Sequence, residues 1–135
     1  MTATKVTRQD LAHPELSYKI VGALYSVYNA LGPGHHEKYY QRAMASAFKD
    51  AGINFKEQFS IPLKFNGASI GRYQLDFLVE GKVILELKKG YKFSKRNIDQ
   101  VLQYLKSSGL QLAILANFSS DKVSFKRIIN FDVAK

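Results

Sequence analysis

Arg72-Tyr-Gln-Leu-Asp76-Phe-Leu-Val-Glu-Gly-Lys-Val-Ile-Leu-Glu86-Leu-Lys88 decides how this chain is read. Two short strand-like runs flank a glycine-containing turn, and the charged side chains Asp76, Glu86 and Lys88 interrupt them. Side chains alternate faces along a strand. Tyr73, Leu75, Phe77 and Val79 are the odd, apolar positions of the first run, and Val83, Leu85 and Leu87 those of the second. Both sets share a face only if opposed residues have numbers of equal parity, as Val79 and Val83 do. That requires the odd-length loop Glu80-Gly81-Lys82, with Gly81 suited to a left-handed backbone. The same phase gathers Gln74, Asp76, Glu86 and Lys88 on the other face, beside Leu78 and Ile84. A two-residue loop would separate Asp76 from Glu86.

Charges inside such strands are costly unless they are paired or hold a metal. Mg²⁺ takes oxygen ligands, commonly one or two carboxylates completed by water and phosphate. A cation between Asp76 and Glu86 would offset their repulsion, and Lys88 could orient a water or stabilise charge on a phosphate. An Asp/Glu/Lys ion-pair cluster on a half-exposed sheet is the competing reading.

A third carboxylate bears on that choice. Residues 35–51 have helical periodicity and stop before Gly52, a suitable residue just past a helix end. Tyr40, Met44, Ala47 and Phe48 form the apolar stripe, and Glu37 falls in its middle, so Glu37 is expected to face inward. The alternative is a first-turn Glu that bends outward to cap its own helix. Residues 94–108 read as a further helix, with Ser94 near its N-cap and Gly109 after it. Ile98, Leu102 and Leu105 make its expected core stripe. Gln100 and Tyr104, one turn apart, lie on a separate flank where they could hydrogen-bond into a site.

Gly34-His-His-Glu37-Lys-Tyr-Tyr40 resembles the motif that names the GxxExxY proteins, and Leu31-Gly32-Pro33 before it and Arg42-Ala43 after it fit as well. That family is similar to the PD-(D/E)XK nuclease superfamily, whose signature matches Asp76 and Glu86-Leu87-Lys88, with Leu75 where the superfamily's name has Pro. Gln100-Val-Leu-Gln-Tyr104 resembles the QxxxY element of RecB-like members. The resemblance runs from about Leu16 to Asn130. It implies a restriction-endonuclease-like α/β fold and metal-dependent phosphodiester hydrolysis with Mg²⁺ or Mn²⁺. Glu37, Asp76, Glu86 and the Leu87 carbonyl would be metal ligands. Lys88 would position the attacking water and stabilise the developing charge, while Gln100 and Tyr104 would steady the site or the scissile phosphate.

Composition agrees with a polyanionic partner. Lysine and arginine number 20 against 11 acids, for a net charge of +9. Basic and aromatic residues interleave just after the signature, and Lys89, Tyr91, Lys92, Lys95 and Arg96 are the candidate nucleic-acid contacts. Inward-packing aromatics in a solvated loop are the other reading of that stretch. DNA is the expected substrate and a homodimer is an option by analogy with small resolvase-like nucleases. A catalytically silent nucleic-acid-binding module and a protein–protein adaptor are the alternatives. The absence of cysteine excludes disulfides and Cys-based zinc sites. With no apolar run long enough to span a bilayer and no signal-peptide pattern, a cytoplasmic location is expected.

The 135 residues suit one domain, its core over about 16–130. An apolar helix over 15–31 places Leu16, Ile20, Leu24, Val27 and Leu31 on one side. Tyr18, Val21, Tyr25 and Tyr28 lie elsewhere, implying burial on more than one side. Strand-like character over 53–65 is interrupted at Pro62. Leu110–Ala116 reads as a buried strand and Val123–Phe131 as a possible last one. The resulting order is ααβββαβ, a mixed β-sheet flanked by helices.

Overall fold

A computed structural model describes residues 12–90 and 93–131. The elements are α1 (Pro14–Leu31), α2 (Glu37–Asp50), β1 (Phe55–Phe65), β2 (Ala68–Val79), β3 (Val83–Lys89), α3 (Lys95–Ser108), β4 (Leu112–Phe118) and β5 (Val123–Ile129). The expected order is found, with the possible last strand realised as β5. One five-stranded sheet runs β1-β2-β3-β4-β5. Only the β3–β4 pair is parallel, and α3 makes the crossover that a parallel connection needs.

β3 and β4 are apolar almost throughout because both of their faces are covered. Val83, Leu85, Leu87, Leu112, Ile114 and Phe118 pack with Ile20 and Leu24 of α1 and Met44 and Phe48 of α2. Ile84, Ala113 and Leu115 face the other way, against Val101, Tyr104 and Leu105 of α3. Burial along α1 is one-sided, in contrast to the expectation from its tyrosines. Tyr18 is 80% exposed and Tyr25 45%. Leu31 is exposed too, because the core beneath α1 ends near Val27.

The hairpin has the expected register. Val79 pairs with Val83 across Glu80-Gly81-Lys82. Gly81 is left-handed at φ 66°, and so is Glu80 at φ 53°. Asn54 holds Glu80 there, because Asn54 N–H donates to Glu80 Oε2 at 2.8 Å and Glu80 N–H to the Asn54 carbonyl at 2.8 Å.

Parity fails one step further along β2. Phe77 and Val79 face α1 and α2 as expected, whereas Tyr73 and Leu75 pack in the α3-side core with Ile61 and Phe59 of β1. Glu57 pairs with Phe77 and Phe59 with Leu75, yet Gln58 and Asp76 between them are unpaired. Gln58 has a left-handed backbone at φ 48°. The two-stranded ribbon therefore twists sharply at this point and exchanges its faces. Strict alternation cannot anticipate that. Pro62 does not interrupt β1, since β1 is an edge strand whose outer N–H groups have no ladder partner to lose.

Phe77 holds the α2-side core together, with its ring centroid 5.5 Å from that of Phe48 and 5.8 Å from that of Phe55. Phe77→Ala should therefore lower the unfolding free energy by about 3–5 kcal/mol, measured by urea denaturation. A loss below about 1 kcal/mol would mean that this core is not closed around Phe77.

Candidate active site

Pairing between β2 and β3 stops after Phe77 and Leu85. Where the ladder would continue, side chains take over as acceptors. Asp76 N–H donates to Glu86 Oε1 at 2.6 Å, and Leu87 N–H donates to Asp76 Oδ2 at 2.8 Å. The expected meeting of Asp76 and Glu86 thus occurs, through reciprocal carboxylate-to-backbone contacts at the splayed end of the hairpin. Asp76 Oδ1 and Glu86 Oε2 have no hydrogen-bond partner among the described residues.

Glu86 is only 4% exposed. Its carboxyl is pushed up to about 8, first by burial and then by the Asp76 charge; the Asp76 N–H and Lys88 pull in the opposite direction. Asp76 is raised as well, again chiefly by burial, with the Leu87 N–H and Lys88 lowering it. Neither carboxylate makes an ion pair with a described residue. The ordinary ion-pair cluster considered above is therefore not formed. Two adjacent carboxylates, Glu86 buried and Asp76 partly so, each with an oxygen free among the described residues, fit a hard divalent cation, whose remaining positions water and phosphate oxygens can fill.

Glu37 departs from expectation. It is the first residue of α2 and is exposed rather than turned into the apolar stripe. The helix begins there, so its buried face starts only at Tyr40. Glu37 does not cap the helix either: His36 is the N-cap residue and makes no side-chain cap bond. The Glu37 charge nevertheless raises both Asp76 and Glu86. Among the described residues no group of three acids or histidines is close enough to hold a metal. Among the described residues the close carboxylate pair is thus Asp76–Glu86, with Glu37 at its rim.

Tyr40 fixes that rim position. Its hydroxyl donates to the Gly32 carbonyl at 2.6 Å, and its ring stacks on Phe118 with centroids 4.2 Å apart. The start of α2 is thereby tied to the end of β4, next to the end of β3.

Lys88 is half-buried on β3, in register with Asn117 of β4. Asn117, which sequence reading missed, is buried and its Nδ2 donates to the Gly90 carbonyl at 2.8 Å. It anchors the chain where β3 leaves the sheet. An Asn inside an otherwise apolar strand was the available signal. Gln74 is not in the site, since it is exposed and its Nε2 donates to Gln58 Oε1 at 2.8 Å.

On α3, Ser94 caps the helix by accepting from Asn97 N–H at 3.0 Å, and Gly109 ends it in the left-handed conformation. The buried stripe is Val101, Tyr104 and Leu105, with Ile98 and Leu102 only partly covered. Tyr104 is therefore a core residue rather than a flank. Its ring lies 4.9 Å from that of Tyr73. Burial, followed by the charges of Glu86 and Asp76, pushes its hydroxyl up to about 12. Gln100 is exposed one turn earlier. Lys89, Lys95 and Arg96 are also exposed, with Lys95 Nζ 3.5 Å from Asp99. Phe93 packs inward against the α3-side core. Tyr91 and Lys92 lie outside the described residues.

Gln58, opposite Asp76, was also missed by sequence reading. A non-glycine residue held left-handed within a strand costs about 1–3 kcal/mol, and such strain gathers at functional sites.

The raised Glu86 carboxyl gives stability a defined pH dependence. Between its ordinary value near 4.5 and about 8, the folded chain binds more protons than the unfolded one. Metal-free stability should therefore fall as pH rises through that window, at a rate approaching about 1.4 kcal/mol per pH unit. Glu86→Gln should flatten the slope in urea titrations at pH 5 and pH 8, and a slope unchanged by the substitution would refute the assignment.

Residues 14–128 match the sequence profile of the PD-(D/E)XK nuclease superfamily. No curated protein sequence matches the chain. Among solved structures, SSO0001 aligns with TM-score 0.55 and 15% identity, over 91% of this chain and 61% of that one. The alkaline exonuclease LHK-Exo from Laribacter hongkongensis aligns with TM-score 0.53 and 16% identity, over 73% of this chain and 58% of that one. Both likenesses are in the fold, the restriction-endonuclease-like arrangement of a mixed sheet between helices, and the chain spans about three fifths of each neighbour. The match over residues 14–128, on a fold that brings Asp76 beside Glu86, makes this chain a member of the PD-(D/E)XK nuclease superfamily.

Proposed function

We propose that this chain is a Mg²⁺- or Mn²⁺-dependent nuclease that hydrolyses phosphodiester bonds in DNA. The observation that carries the proposal is the Asp76–Glu86 pair: two adjacent carboxylates, Glu86 buried and Asp76 partly so, with one free oxygen on each and no paired cation among the described residues. Such an arrangement is unfavourable by itself and favourable around a divalent cation. When bound, the cation supplies Lewis acidity toward the phosphodiester.

The chain's own groups divide the remaining work. Asp76, Glu86 and the Leu87 carbonyl bind the ion, and Glu37 adds a carboxylate from the rim. Lys88 orients the attacking water and stabilises charge that develops on the phosphate oxygens. Tyr104 keeps its proton and donates toward the scissile phosphate, with Gln100 beside it on the exposed side of α3. Lys89, Lys95 and Arg96 continue the positive surface away from the site and bind flanking phosphates. Sequence-independent contacts of this kind make binding strongly salt-dependent.

The test is a cleavage assay of single-stranded, duplex, flapped and four-way DNA, and of RNA, with Mg²⁺, Mn²⁺ or EDTA. Glu86→Ala and Lys88→Ala should each reduce cleavage at least about a hundredfold while leaving DNA binding within a few fold. Metal-dependent cleavage that survives both substitutions would overturn the proposal. Salt-sensitive binding without cleavage of any substrate would leave a nucleic-acid-binding module instead.

A further inference from the structure

We infer that Gln58 is a positioning residue whose left-handed backbone opens β2 from β3 and so presents Asp76 to Glu86. The inference rests on reading that pair as the metal-holding site. Gln58 lies in β1, on the strand that flanks β2 on the side away from β3.

Four observations converge on it. Gln58 has φ 48° at the fourth position of an 11-residue strand, where extended backbone is the rule. The residue opposite is Asp76, and this is the unpaired position between the Glu57–Phe77 and Phe59–Leu75 pairs. Both strands exchange faces there: Phe55 and Phe77 belong to the core under α1 and α2, while Phe59 and Leu75 belong to the core under α3. The β2–β3 ladder ends at the same level, and beyond it Glu86 Oε1 and Asp76 Oδ2 accept the Asp76 and Leu87 amides.

These observations describe one event. An extended Gln58 would let the β1–β2 ribbon run straight, keep Leu75 on the face of Phe77, and return Asp76 to regular pairing. The carboxylates would then lose the amides that now hold them together. The side chain of Gln58 does not explain the strain, because it is exposed and among the described residues its one hydrogen bond is to the exposed Gln74. The backbone conformation is what the site uses. Residues that enter the left-handed region readily should therefore serve at position 58, and β-branched residues should not.

Amide hydrogen exchange followed by NMR tests this without reference to cleavage. Asp76 and Leu87 amides should be protected in the wild type and remain so in Gln58→Gly and Gln58→Asn. In Gln58→Thr and Gln58→Val, exchange at these two amides should accelerate at least tenfold while Leu85 exchanges at its wild-type rate. Retained protection in both β-branched variants overturns the inference, as does loss of protection in Gln58→Gly. Equal acceleration at Leu85 also overturns it, since Gln58 would then be a determinant of the whole fold. Calorimetric Mn²⁺ titration adds the link to the site, with affinity within about twofold of wild type for Gly and at least tenfold weaker for Thr. A wild type that binds no Mn²⁺ would defeat the metal reading of the pair and leave the exchange result standing.

Discussion

Two carboxylates that accept backbone amides across a parting pair of strands set the terms for everything around them. Asp76 and Glu86 stand where β2 and β3 would otherwise exchange main-chain hydrogen bonds. Each supplies the other's strand with the acceptor that the missing ladder would have provided. Buried amides are thus satisfied, which a splayed sheet end demands. The same exchange sets two carboxyls side by side, and burial together with the Asp76 charge pushes the Glu86 carboxyl well above its ordinary value. Satisfaction of the sheet end and the close approach of the two carboxyls come from the same two hydrogen bonds.

The rest of the architecture follows from making that contact possible. β3 must be rigid, and burial of both its faces by α1 and α2 on one side and α3 on the other makes it so. β2 must be able to leave β3, and the twist at Gln58 and Asp76 redirects it into the second core instead of into solvent. Tyr40, stacked on Phe118 and bonded to Gly32, brings the N-terminus of α2 to the same end of the sheet. Tyr40 thereby anchors the first turn of α2, where Glu37 stands, through Gly32 rather than through Gly34 of the Gly34–Tyr40 motif.

How much of this was legible depended on the range of the physics involved. Short-range rules worked. Equal parity of Val79 and Val83 gave the three-residue loop, and Ser94 and Gly109 marked the ends of α3. Rules that extrapolate a period did not. Alternation placed Leu75 with Phe77, and only the left-handed residue on the neighbouring strand separates them. Helical periodicity placed Glu37 inside, although a stripe says nothing about where the helix begins relative to the sheet it covers. Tyr104 looked like a flank because the wheel of α3 was centred on Ile98 and Leu102. The ring of Tyr73, delivered by the same unseen twist, draws the buried face toward it.

The edges of the sheet carry a consequence of a different kind. Among the described residues β1 has one open edge, and an open strand edge 11 residues long is a template for pairing with another chain. Three features spoil that template: the left-handed Gln58, the missing N–H of Pro62, and the irregularity between Leu63 and Lys64 where the register shifts. At the opposite edge, β5 carries the exposed Lys126 at its middle, so two copies pairing there in antiparallel fashion would bring like charges together. The left-handed Gln58 beside the carboxylates therefore also makes β1 a poor template for edge-to-edge pairing.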